Sequence, residues 1–127
     1  MDGYKVTIRE SSRELNVKEK IAIKDTSNCA SIDTLTIAQD KVIIDFAYYV
    51  ILDVHNEKSE NPDYVKVIVV DKDGTKYMTG SAAFLSALTE IVDEMTAAGA
   101  ADEIKLEVYR KESKNYKGKS FITVSLI

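Results

Sequence analysis

The sequence predicts a single, mainly β domain with one helix, and three observations lead to this. Most of the chain consists of short segments in which apolar and polar residues alternate, as in strands with one buried face. One stretch, residues 81–98, instead repeats its apolar residues every three or four positions, which is typical of an amphipathic helix. The 127 residues, 45% hydrophobic and 30% charged, suffice for one hydrophobic core, so we expect one domain over residues 1–127.

Two short strands are predicted before residue 26. Residues 4–9 alternate between apolar and polar side chains. Residues 18–25 alternate as well, and Ile21 and Ile23 would both face the core of such a strand. Residues 26–40 fit neither the strand period nor the helix period clearly, so their structure is left open.

Residues 41–55 form the longest strand candidate. Every even position from Val42 to Val54 is apolar, so a two-residue period places the even positions in the core. This parity predicts that Tyr48 is buried and that Tyr49 is exposed. A strand of this length usually bends or serves two sheets, as in small barrels.

Two further strands are predicted after a polar loop at residues 56–63. Residues 64–71 alternate again, and residues 75–79 form a short return strand. Between them, Asp73 and Gly74 are a strong signal for a tight turn. The sequence therefore predicts a strand pair joined at this turn.

The helix predicted over residues 81–98 has recognisable ends. Ser81 is suited to cap its N-terminus, and Gly99 can end it in the left-handed conformation. The face away from the apolar stripe is acidic, and its acids are Glu90, Asp93 and Glu94. We therefore expect this helix to cover the sheet rather than to bind an anion.

Residues 102–127 predict a hairpin with a basic, aromatic tip. Between residues 110 and 119 there are five cations and one anion, with Tyr109 and Tyr116 interleaved. On a chain with a net charge of −4, such a local cationic site suits a flexible nucleic-acid strand. Lysines are also common at exposed hairpin tips, where they only protect the sheet edge, so this alternative stays open.

The order of these elements predicts the architecture. If residues 64–79 count as one folded-back strand and residues 4–9 as an extra N-terminal strand, three strand units precede the helix and two strands follow it. This is the order of elements in an OB-like five-stranded barrel. The alternative is an α+β half-open sheet with one packed helix. In OB barrels the second and third strands and the adjoining loops commonly bind single-stranded nucleic acid.

A protein that binds single strands without sequence preference needs aromatic rings for the bases and cations for the phosphates. Strand parity and the hairpin tip together provide candidates for both roles. The predicted nucleic-acid-binding residues are Tyr49, Tyr64, Lys66, Tyr77, Tyr109, Lys111, Lys114, Tyr116, Lys117 and Lys119. For any single strand tyrosine, a half-buried structural role is an equally good interpretation.

Other kinds of function find little support in the sequence. The single histidine, His55, and the single cysteine, Cys29, cannot supply a zinc ligand set, and a lone cysteine fits a reducing compartment. Asp71 and Asp73 lack the spacing of a calcium loop, and no nucleophile stands at an identifiable spacing from His55. We therefore expect no metal, no cofactor and no enzymatic activity. With no membrane-length apolar run and no signal peptide, we expect a cytoplasmic protein.

Three segments of the chain occur in the same order in a known family. Residues 66–77 (KVIVVDKDGTKY) form a strand whose Asp-Gly turn leads to a tyrosine, and residues 84–95 form an apolar-periodic helix. Residues 104–127 form a hairpin in which Lys117 and Gly118 precede an aromatic strand. In these respects the chain resembles the small single-stranded DNA-binding proteins of protein-primed tailed phages, the phi29-like type.

The resemblance implies a phage or prophage protein that coats single-stranded DNA during replication in a bacterial host cell, with tyrosines stacked on bases. Tyr77 corresponds most clearly to such a tyrosine, followed by one of Tyr48 and Tyr49, whereas residues 56–63 contain no matching tyrosine. RNA is not excluded as a ligand, because stacking does not depend on the 2′-hydroxyl. A replication-protein partner and a homo-oligomer are left open. The alternative function is an OB-like protein-interaction or structural module without nucleic-acid binding.

Overall fold

In a computed structural model, described over residues 3–113 and 118–127, the chain is mostly β, as predicted. Its strands are β1 (Tyr4–Ser11), β2 (Ala30–Ser31), β3 (Val42–Asn56), β4 (Asp63–Asp71), β5 (Lys76–Thr79), β6 (Lys105–Glu112) and β7 (Ser120–Leu126). Its helices are α1 (Val17–Lys24), α2 (Ile32–Ala38) and α3 (Ala82–Ala97), and a 3-10 turn spans Ala101–Glu103. The prediction of one helix is therefore wrong.

The strands form one curled sheet that is an open half-barrel. Its order is β2-β5-β4-β3-β6-β7, and β1 also pairs with β3. The long strand β3 pairs with β6 at its beginning and with β1 at its end: residues 42–45 pair with β6, and residues 50–56 pair with β1. Every pairing is antiparallel except the short parallel one between β2 and β5.

The sequence predicts a five-stranded barrel, but a closed barrel is not clearly formed. The strands β5, β4, β3, β6 and β7 are neighbours in that order. Within the described residues, however, no ladder joins β7 to β5 and closes the barrel. The parallel partner of β5 is β2, in which Ala30 lies opposite Tyr77. The structure is thus an open half-barrel with three helices.

Helix α2 ties the two sides of the open half-barrel together through polar contacts. The buried Thr79 of β5 donates to Asp33 Oδ1 at 2.8 Å. From β6, Arg110 donates through Nε to Thr36 Oγ1 and through Nη2 to the carbonyl oxygen of Asp33, both at 3.1 Å. Arg110, one of the five cations counted near the hairpin tip, therefore has a structural partner.

A β-bulge in β3 reverses the predicted parity of its second half. The register with β4 shifts between Phe46 and Tyr48, and one extra residue moves every following side chain to the other face. Tyr49 is consequently buried, with 4% of its surface exposed, whereas Tyr48 is only half-buried. The predicted burial of Tyr48 and exposure of Tyr49 are wrong for this reason.

Because of the bulge, β3 contributes to two hydrophobic cores. The first core lies inside the half-barrel, where Phe84, Leu88 and Val92 of α3 pack on the sheet. The second core lies on the other face of the sheet, where Val50, Leu52 and Val54 meet Leu15 and Ile23 from the N-terminal segment. Ile68 and Val70 of β4 also belong to this core. A single strand thus supports both faces of the molecule.

Helix α1 occupies most of the stretch predicted as a strand over residues 18–25. Asn16 caps it, since its side chain accepts from the Glu19 N–H at 2.8 Å, and the Glu19 side chain accepts from the Asn16 N–H at 3.1 Å. This reciprocal capping box is readable in the sequence and outweighs the alternation. Ile23 is buried, but Ile21 is 68% exposed.

The predicted signals around the strand pair and the main helix are confirmed. Ser81 Oγ accepts from the Phe84 N–H at 3.2 Å and caps α3. Gly99 ends the helix with a φ of 74°, and Gly74 has a φ of 92° in the turn before β5. Among the helices described here, none is long and apolar enough to span a lipid bilayer.

The bulge makes a prediction about stability. Changing Tyr49 to alanine should lower the free energy of unfolding by about 3–5 kcal/mol, because it removes a buried ring from the first core. The matched control Tyr48→Ala should cost clearly less, because that ring is half-exposed. Urea unfolding followed by far-UV circular dichroism measures both losses. A larger loss at Tyr48 than at Tyr49 would contradict the assigned register.

Candidate nucleic-acid interface

The outer face of the β6–β7 hairpin carries two aromatic rings beside a cation. Tyr109 lies opposite Thr123, and Lys111 lies opposite Phe121. Tyr109 and Phe121 are therefore diagonal neighbours, a separation of about 7–8 Å that aromatic side chains can bridge. Phe121 is 37% exposed and Lys111 is exposed, while Tyr109 is half-buried. We call Tyr109, Lys111 and Phe121 the hairpin patch.

Alternation along the two strands forces these side chains outward. Leu106, Val108, Ile122 and Val124 point into the first core, and each is at most 5% exposed. The residues between them must therefore face solvent. The Tyr109 hydroxyl and Ser125 Oγ lie 2.8 Å apart in a hydrogen bond, which holds the phenol ring against the hairpin.

The tip of the hairpin is described only at its base. The Ser113 N–H donates to the carbonyl oxygen of Lys119 at 2.9 Å, and Gly118 has a φ of 80°. Lys119, one of the predicted phosphate ligands, is exposed next to this closure. The predicted residues Lys114, Tyr116 and Lys117 lie outside the described residues.

A second group of predicted residues lies on β4. The Lys66 ammonium is 5.8 Å from the centre of the Tyr64 ring, within the range of a cation–π contact. Tyr64 also lines a groove of about 360 Å³ between the ends of β1, β3 and β4. Lys5, Arg9 and His55 contribute cationic or titratable groups to this groove.

Carboxylates compensate much of the positive charge in this groove. Arg9 donates to both Asp53 oxygens, with a distance of 3.1 Å from Nε to Oδ2. His55 Nδ1 is 2.7 Å from Asp63 Oδ1, and this contact raises the pKa of His55 above its ordinary 6.5. Asp53 and Asp63 therefore offset the positive charge that Arg9 and a protonated His55 bring to this groove. In the hairpin patch, Lys111 is exposed.

The remaining predicted tyrosines are less accessible. Tyr77 on β5 is half-buried against the first core, and this burial raises the pKa of its hydroxyl. The Arg13 guanidinium lies over the Tyr48 ring, 3.9 Å from its centre. Tyr49 is buried and cannot stack on a base in this structure.

Residue-by-residue reasoning from the sequence missed Phe121. The predicted nucleic-acid-binding residues include no phenylalanine, and whereas Phe46 and Phe84 are buried, Phe121 is 37% exposed. The signal was available, because Phe121 alternates with Ile122 and Val124 in a strand that has one buried face. Lys5 and Arg9 were also overlooked, because pairing of β1 with β3 is not evident from either segment alone.

The comparison with protein families decides the identity of the chain. A family model described as phage single-stranded DNA-binding protein, of the phi29 type, matches residues 3–127. The chain belongs to this family. The resemblance seen in the second half of the sequence is thereby confirmed and extends over essentially the whole chain. The comparisons with curated proteins and with solved structures each give no match.

Family membership changes the interpretation of the hairpin patch. Binding of single-stranded DNA in a phage is the activity that characterises this family. The hairpin patch combines aromatic side chains and a cation on one surface, a combination found in proteins that bind single strands without sequence preference.

The His55 contact predicts a measurable titration. The single histidine should titrate above its ordinary pKa of 6.5 because of the Asp63 hydrogen bond, and Asp63→Asn should lower that pKa. The stability from this contact is present below pH 6.5 and is lost as the pH rises through the raised pKa. NMR titration of the imidazole resonances measures this. The control Glu57→Gln should shift the pKa less, since Glu57 is 3.8 Å away; equal shifts would contradict the assignment.

Proposed function

We propose that this phage single-stranded DNA-binding protein coats DNA during phage replication in the bacterial cytoplasm, without sequence preference and without catalysis. Bases stack on exposed aromatic side chains while lysines contact the phosphates. The observation that carries the proposal is the hairpin patch, in which Tyr109 and Phe121 present neighbouring rings beside Lys111 on an exposed strand face.

Stacking supplies the larger part of the proposed affinity. A base stacked on an aromatic side chain contributes about 1–3 kcal/mol, whatever the base. The two diagonal rings of the hairpin patch offer platforms for adjacent bases. Since Tyr109 is held by Ser125, little side-chain entropy is lost when a base lands on it.

The phosphates require local cations, because the whole chain has a net charge of −4. Lys111 and Lys119 are exposed at the hairpin, and the sequence places Lys114 and Lys117 between them. We assign these four lysines to the phosphates. Displacement of counterions from the DNA then makes the affinity fall as salt rises.

The sheet topology supports one path for the DNA strand. Strand β6 pairs with the beginning of β3, whereas Tyr64 lies opposite Val54 near its end. The hairpin patch and the pair of Tyr64 and Lys66 are thus at opposite ends of a strand that would span about 50 Å if straight. We propose that Tyr64 and Lys66 form a second contact, and Tyr77 a third from the family resemblance. A DNA strand that reaches both ends would use the upper part of the range of about 4–16 nucleotides per fold.

A titration with oligo-dT at several salt concentrations tests this function. The chain contains seven tyrosines and no tryptophan, so stacking should quench its intrinsic fluorescence directly. We expect saturable quenching that weakens with salt, and a slope of log affinity against log salt that Lys111→Ala reduces by about 0.7. The control Lys18→Ala, at an exposed lysine of α1, should leave the slope unchanged. No quenching by a folded protein at low salt would overturn the proposal in favour of a protein-interaction module.

Two substitutions at Tyr109 distinguish base stacking from the other interactions with DNA. Tyr109→Ala should weaken the binding of oligo-dT by about 1–3 kcal/mol, because it removes a platform for one base. Tyr109→Phe keeps the ring and loses only the bond to Ser125, so its affinity should stay close to that of the wild type. Thermal unfolding of both variants controls for the fold. Equal weakening by both variants would show that the hydroxyl, not the ring, contacts the DNA.

A further inference from the structure

Helix α1 exposes apolar side chains that no other described part of the chain covers. Val17 is 71% exposed and Ile21 is 68% exposed. Lys20 and Lys24 are exposed too, and their spacing of three and four residues places all four side chains on one helix surface. We call Val17, Lys20, Ile21 and Lys24 the α1 face. Two such exposed aliphatic side chains so close together indicate a contact surface.

A groove of opposite character lies beside the C-terminal half of α3. It has a volume of about 380 Å³ and lies between this helix and the residues that end β1. Val92 and Tyr49 contribute apolar surface, Ala97 is a small residue at its edge, and Glu10 and Asp93 make it acidic. We call this the α3 groove.

Among the described residues, the negative charges near the α3 groove are not paired with cations. Helix α3 contains three acids, Glu90, Asp93 and Glu94, and no cation. Two of them lie near its C-terminal end, where the helix dipole is negative and favours cations. In the part of the chain that the structure describes, no ion pair involves these acids, nor Lys20 or Lys24 of the α1 face.

We propose that the α1 face of one copy docks into the α3 groove of the next copy on the same DNA strand. Ile21 and Val17 would cover the apolar surface of the groove, and Lys20 and Lys24 would face Asp93 and its acidic neighbours. Charge and hydrophobicity are complementary between the two surfaces. The inference rests on the proposed function, because the DNA strand supplies the high local concentration of a second copy.

One copy cannot make this contact with itself. Ile23 of α1 packs in the second core and Val92 of α3 packs in the first, so the two helices lie on opposite faces of the sheet. A contact between two different surfaces is heterologous, and it repeats without closing when the rotation between copies does not form a ring. Copies bound along one strand would therefore form a directional row.

Cooperativity on DNA tests the contact. On long dT, the wild-type protein should bind neighbouring sites with a coupling of about 5- to 150-fold, whereas on an oligonucleotide with one site no coupling exists. Ile21→Ser and Asp93→Lys should each reduce this coupling and leave the affinity for the single site unchanged. Ile37→Ser is the matched control, because Ile37 is an aliphatic residue of another helix, α2, and is 76% exposed.

An exchange of charges makes the test specific. Lys20→Glu alone should reduce the coupling, and Lys20→Glu combined with Asp93→Lys should restore it, because the opposite charges then meet again. If either substitution reduced the coupling only by disturbing the fold, the double variant would not restore the coupling. Full coupling in both single variants would overturn the contact.

The possible failures are distinguishable. Binding to the single-site oligonucleotide without coupling on long dT overturns the docking contact and leaves the proposed function standing. No binding to either DNA overturns the proposed function. In that case sedimentation of the concentrated free protein decides the contact: self-association weakened by Ile21→Ser supports it, and a monomer at every concentration overturns it.

Discussion

The bulge between Phe46 and Tyr48 is the constraint on which both cores depend. A regular strand alternates between two faces along its whole length, so β3 would carry its even positions into one core throughout. Before the bulge, the even positions Val42, Ile44 and Phe46 pack inside the half-barrel. After the bulge, the odd positions Tyr49 and Ile51 pack there instead. The even positions that follow become available to the second core, so a chain of 127 residues builds two apolar layers from one central strand.

The open side of the half-barrel leaves the last hairpin free to act as a binding surface. Because β2 takes the edge of β5, β7 does not pair there, and the hairpin is held by the short ladder between β3 and β6 and by α3. Arg110 adds a polar link from β6 to α2. The contacts with α3 and α2 use the inner face of the hairpin. The outer face carries the half-buried Tyr109 and Phe121, which is 37% exposed.

Much of the fold could be predicted from the sequence, and the failures have physical causes. The alternating segments between residues 41 and 79, the Ser81 cap and the Gly74 and Gly99 turns are local signals, and they are confirmed. Helix α1 is not predicted because residues 18–25 alternate as in a strand, and the parity of β3 is not predicted because a bulge depends on the partner strand. Of the candidate site, the outward direction of Tyr109 and Lys111 follows from alternation. Phe121 belongs to the same pattern, whereas the burial of Tyr49 required the register of the whole sheet.

Segregation of charge explains how an acidic protein can belong to a DNA-binding family. The acids of α3 lie on a helix that contains no cation, while Lys111 and Lys119 lie at the hairpin. Electrostatic interactions between exposed groups fade over about 8–10 Å at moderate salt, so a strand near the hairpin experiences mainly the local lysines. The negative net charge then has little effect on binding and limits nonspecific attraction of duplex DNA elsewhere on the surface. In the proposed docking, the acidic helix would offer a neighbouring copy a surface that DNA avoids, so contact with the strand and contact between copies would not compete for the same charges.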